Sequence, residues 1–139
     1  MFGGKDMLKR KVYQELLKWK QNTDGKALCI IGARQIGKTT LIREFGKKEY
    51  EYFAEINFVT DENAADIFKG KLTAETIITN LTAYLQTPLE PGKTLILFDE
   101  VQECPAVRSA IKFLVEDGRF DYIESGSLLG VRYKDVRSY

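Results

Sequence analysis

Apolar residues along this chain come in two rhythms, short unbroken runs and widely spaced stripes, and the two alternate. The run "KALCII" (26–31), bounded by Asp24-Gly25 and Gly32, predicts a buried strand. "KTTLIREFGKK" (38–48) then predicts a helix, with Leu41, Ile42 and Phe45 on one side and Gly46 near its end. Strong alternation in "YEYFAEINFV" (50–59) places Tyr50, Tyr52, Ala54, Ile56 and Phe58 on one face of a strand near a sheet edge. Residues 61–86 carry two helical patterns, split near Gly70-Lys71 and stopped by Pro88. In the second, Ile77, Ile78, Leu81, Tyr84 and Leu85 keep the helical period.

"TLILFDE" follows the turn "EPGK" as a third apolar run, ending in two carboxylates. Pro105 opens a helix striped by Val107, Ala110, Ile111, Leu114 and Val115 and closed by Asp117-Gly118. "FDYIESGS" reads as a fourth strand running into a polar turn, and its place in the sheet is between the first and third. Strands alternating with helices make a parallel α/β sheet with crossovers. The last nine residues, "VRYKDVRSY", show no partner element, so the chain is read as stopping before a fifth strand. Ahead of the first strand, "KRKVYQELLKWK" spaces Leu8, Val12, Leu16 and Trp19 as an amphipathic helix with a basic, solvated face.

Composition narrows the class without changing this outline. A chain of 139 residues, 44% apolar and 29% charged, is expected to form one globular domain. No run approaches the roughly 18 apolar residues that span a bilayer, and "MFGGKDMLKRK" lacks the apolar segment of a secretory signal. Two cysteines give no disulfide framework and there is no histidine to build a metal site, so the reducing cytoplasm is the expected compartment. The net charge of +1 hides an asymmetry: residues 1–48 carry 12 Lys+Arg against 4 Asp+Glu, the rest 9 against 16. The basic part surrounds the glycines, which suits a polyanionic ligand. It would also suit nucleic acid, although no recognition motif or aromatic interleaving accompanies it.

"GARQIGKT" matches G-x-x-x-x-G-K-[ST] between a predicted strand and a predicted helix, where such a loop must lie to bind phosphate. Glycine lets the backbone approach a phosphate closely. Successive N–H groups then form an anion nest at the positive end of the helix dipole. The candidate nucleotide-binding residues are Gly32, Ala33, Arg34, Gln35, Ile36, Gly37, Lys38, Thr39 and Thr40. Lys38 would reach the β- and γ-phosphates, and Thr39 would offer its hydroxyl to Mg2+.

Asp99 and Glu100 end the third strand, at the carboxyl edge where a parallel sheet places its ligands. An acid there completes a metal site with Thr39, which gives Asp99 that role. The acid after it faces the γ-phosphate side and can orient or deprotonate a water, which makes Glu100 the candidate base. Gln102 either helps to orient that water or caps the next helix. Ser127, and with a weaker claim Ser125, are candidates for sensing the γ-phosphate, set against plain turn chemistry. Glu124 reads as structural or interfacial.

"GARQIGKTTL", "LFDEVQECP" and "SGSLLG", in that order, resemble the AAA-like P-loop ATPases of bacteria and archaea, within the AAA+ superfamily. The group they match has an ATPase core followed by a C-terminal domain of unknown function. The resemblance implies a three-layer αβα sandwich with a parallel sheet in the order 5-1-4-3-2, binding ATP and Mg2+. It also implies an arginine supplied by a neighbouring copy or a later segment, since Arg108, Arg119, Arg132 and Arg137 sit in no matching motif. The expected activity is ATP hydrolysis driving a conformational change. A nucleotide-binding switch that barely hydrolyses and a small-molecule kinase share the loop, and Glu100 favours turnover over both.

Overall fold

The computed structural model describes residues 4–21, 26–32, 37–127 and 136–138. Four strands lie parallel: β1 (Ala27–Gly32), β2 (Tyr52–Asn57), β3 (Thr94–Asp99) and β4 (Asp121–Ser127). They stand in the order β2-β3-β4-β1, with a short fifth strand, β5 (Val136–Ser138), beyond β1. Read from the other edge this is 5-1-4-3-2, but β5 runs antiparallel to β1, pairing Val136 with Ile30 and Ser138 with Leu28. The expectation that the last nine residues have no partner is therefore corrected. Three residues are too few for hydrophobic alternation to declare a strand, and an antiparallel edge needs no crossover helix to announce it.

Helices cover both faces. On one, α1 (Gly4–Lys20) and α2 (Lys38–Glu49) bury Leu16, Trp19, Ile42 and Phe45 against Leu28, Ile30, Leu95, Leu97 and Ile123. On the other, α3 (Ala74–Leu85) and α4 (Ala106–Asp117) bury Ile77, Leu81, Val107 and Ile111 against Cys29, Ile96, Phe98 and Tyr122. Alternation along each strand does the sorting: odd positions of β3 and β4 face α2, even positions face α4. β3 and β4 are buried along their whole length, as the central strands of a doubly covered sheet must be. β2 is an edge strand, as its alternating pattern foretells, with Ala54 and Ile56 toward α3 and α4. Tyr50, however, lies ahead of it and packs against Phe45 on the α2 side instead of sharing their face.

Two expected elements are shorter than their patterns. The first helical pattern after residue 61 forms only a 3-10 turn, Ala64–Phe68, and the chain leaves it at Gly70 with φ 83°. β2 stops at Asn57 because the Asn57 side chain accepts bonds from the Val59 and Thr60 N–H groups and bends the chain. α4 closes as expected, at Gly118 in the left-handed region. Among the described residues no helix is long and apolar enough to cross a membrane.

Candidate functional site

The strand ends of β1, β3 and β4 meet the first turn of α2. Gly37 holds φ 63°, a left-handed conformation that glycine adopts without penalty, and turns the chain into α2. The next residues, Lys38, Thr39 and Thr40, line a cleft of about 320 Å3 whose other wall is Asp99 and Glu100. The two walls come from segments 60 residues apart, and parallel pairing through β4 brings them together. Lys38 is buried, and α2's unbonded N–H groups face the same space. Ala33, Arg34, Gln35 and Ile36 lie outside the described residues.

Asp99 is the hub of the described contacts. Its Oδ2 accepts from the Thr39 hydroxyl at 3.4 Å, and its Oδ1 accepts from the Ser125 hydroxyl at 2.7 Å and from the Glu100 N–H at 2.9 Å. Ser125 reaches it because Asp99 and Ser125 are register partners on the α2 face of the sheet. Ser127, two residues on, shares that face and pairs in register with Gly32, where the glycine loop begins. Its hydroxyl is buried and has no hydrogen-bond partner among the described residues. A buried donor left without an acceptor costs about 1–3 kcal/mol, which an arriving anion or water would recover.

Glu100 leaves β3 in the left-handed region, φ 58° and ψ 47°. For a side chain with a Cβ this conformation costs about 1 kcal/mol. It carries the Glu100 carboxylate off the strand direction, where Gln102 Nε2 donates to its Oε1 at 3.1 Å. Gln102 thus braces Glu100, and α4 follows Pro105 at its N-cap position with no side-chain cap. Gly126 makes room for this brace: a Cβ there would stand 2.5 Å from Gln102 Oε1. Gln102, expected either to orient a water or to cap the next helix, is placed against Glu100, and Gly126 is a feature of the candidate site that sequence reasoning missed. A glycine between two serines reads as turn chemistry until β4 is seen to pass beneath Gln102.

The other candidates lie away from the cleft. Glu124 is fully buried on the opposite face of β4, 4.0 Å from Arg108 Nη1, and burial pushes its carboxyl up to about 7. Arg108 also donates to Cys29 Sγ at 3.1 Å. Arg119 is engaged by Asp117 and Glu75. Arg137 lies in β5, and Arg132 is outside the described residues. Arg43, one helical turn after Thr39, forks onto Glu55 of β2 at 2.6 and 2.7 Å. That bond, and the nearby Asp99 charge, raise its guanidinium further above its ordinary range.

A parallel sheet covered on both faces, with a glycine-to-helix turn at its carboxyl edge beside a strand-end acid, is the architecture of the P-loop nucleotide-binding proteins. The model of the AAA domain family matches residues 24–139. The chain belongs to that family, whose members point to nucleotide binding. No match was found among curated proteins.

Proposed function

We propose that this chain binds Mg-ATP in the cleft between α2 and β3 and hydrolyses it, the cycle driving a conformational change in a larger cytoplasmic assembly. The observation that carries the reading is the Thr39–Asp99 pair with Glu100 turned out beside it and braced by Gln102. The donors fit the ligand. Thr39 and Asp99 offer a hydroxyl and a carboxylate, the hard oxygen chemistry that Mg2+ prefers. Gly37, buried Lys38 and the Ser127 hydroxyl, which has no partner among the described residues, suit a phosphate.

In this reading the α2 N–H groups and Lys38 bind the phosphate tail, and Thr39 and Asp99 hold the metal. Mg2+, when bound, neutralises charge on the phosphate oxygens. Ser125 fixes the Asp99 carboxylate so that its other oxygen stays turned toward Thr39. Glu100 orients the attacking water and takes its proton, and Gln102 keeps the carboxylate in place. Ser127 is the sensor, since Ser125 is already committed to Asp99. Arg108 and Arg119 are engaged elsewhere, and, as the family resemblance implies, a neighbouring copy or a later segment would supply the arginine that stabilises the transition state.

Mg-ATP binding and phosphate release, compared for the unsubstituted protein, Lys38→Ala and Glu100→Gln, test this. Lys38→Ala is expected to lose binding, whereas Glu100→Gln binds as before and releases phosphate about a hundredfold more slowly. Equal, slow release by the unsubstituted protein and Glu100→Gln would favour a switch that does not hydrolyse. Phosphate arriving on an added sugar or nucleoside would favour a kinase.

A further inference from the structure

α1 does more than cover the sheet. Leu16 and Trp19 seat its second half in the core, and Tyr13 stands edge-on to Phe45 at 5.8 Å while its hydroxyl donates to Glu49 at 3.1 Å. These contacts hold α1 against α2 and set where its first half lies. Lys9, one turn before Tyr13, is thereby carried over the N-terminus of α2. A Cβ placed on Gly37 would meet Lys9 Cε at 3.6 Å and Nζ at 3.8 Å. Lys9 forms no ion pair with any carboxylate among the described residues. Its ammonium thus stands beside Gly37, at the end of α2 whose dipole already favours an anion.

We propose that Lys9, which stands against Gly37 at the rim of this cleft and not in its lining, is a further phosphate-binding residue, a cation brought by α1 to the polyphosphate. The inference rests on the nucleotide reading above. Lys38 enters from α2 and Lys9 from across it, so an anion at Gly37 is approached by cations from two elements. Nucleotide binding then also fastens the first half of α1 to the core. Because Lys9 is exposed, its contribution is modest and weakens with salt.

The test is the Kd for Mg-ATP, at low and at moderate salt, of the unsubstituted chain and of Lys9→Met, Lys9→Arg, Lys11→Met and Lys38→Ala. Lys11 is an exposed lysine of the same helix and controls for general charge. Lys9→Met is expected to weaken binding about fivefold at low salt and less at higher salt. Lys9→Arg should stay within about twofold, keeping the charge, and Lys11→Met should be unchanged. Lys9→Met binding as the unsubstituted chain does, while Lys38→Ala fails, would overturn the role of Lys9 and leave the nucleotide reading standing. An equal loss in Lys9→Met and Lys11→Met would overturn it too, showing only a diffuse field. If the unsubstituted chain binds no nucleotide, both readings fall together.

Discussion

Glu100 and Glu124 are two carboxylates near one sheet end with opposite surroundings. Glu100 sits at the cleft in a conformation that costs energy, held there by Gln102 over the bare Cα of Gly126. Strain of this kind survives where surrounding contacts over-determine it, which is common at functional sites. Glu124 lies within the sheet's other face, beside Arg108 and near Cys29, and both its oxygens lack hydrogen bonds among the described residues. Burial keeps it protonated up to about 7, while in the unfolded chain it ionises near the ordinary 4.5. Between those values the folded state holds a proton that the unfolded state has lost. Stability that Glu124 supports in acid is therefore lost as pH rises from about 4.5 to about 7. Glu124→Gln, which stays neutral, should flatten that decline, by up to about 3 kcal/mol. Urea unfolding of both proteins across the window checks this, and parallel profiles would contradict it.

Among the elements, α1 is the one whose loss would reach furthest. It is basic, it touches the sheet through few residues, and yet Leu16 is 1% exposed and packs with Phe45 of α2. Leu16→Ala should cost about 3 kcal/mol, and it should weaken nucleotide binding more than its distance from the cleft suggests, because Lys9 loses its seat. Chemical denaturation beside a binding titration separates the two effects. The helical stripe at Leu16 and Trp19 was plain in the sequence, as were the runs of β1, β3 and β4, since burial on a sheet or helix face imposes its own period. What was hidden depends on pairing between distant segments. No local pattern shows that Ser125 would meet Asp99, that Gly126 would pass under Gln102, or that Lys9 would reach Gly37. The αL turn at Glu100 was equally silent, because glutamate has no preference for it. β5 was missed because an edge of three residues carries no period at all.

For the whole molecule, the proposed ligand should act as a staple. In the proposed reading Mg-ATP bridges residues from α2, β3 and β4, so only the folded chain could hold it. At a hundred times its Kd it should add about 2.7 kcal/mol, which for a chain of 139 residues raises the melting temperature by roughly 9 °C. Calorimetry or a dye-based melt measures this. Glu100→Gln should keep the shift and Lys38→Ala should lose it. The strand order also sets a timetable for synthesis. β1 leaves the ribosome early, but its parallel partner is β4, so "ALCIIG" must wait unpaired until residues 121–127 have been made. Until then an apolar strand stands open beside a half-built sheet, the kind of surface that chaperones hold and that aggregates when they do not. The cleft, whose walls β4 brings together, can exist only after that delay, so the proposed nucleotide has nowhere to bind until the fourth strand is in place.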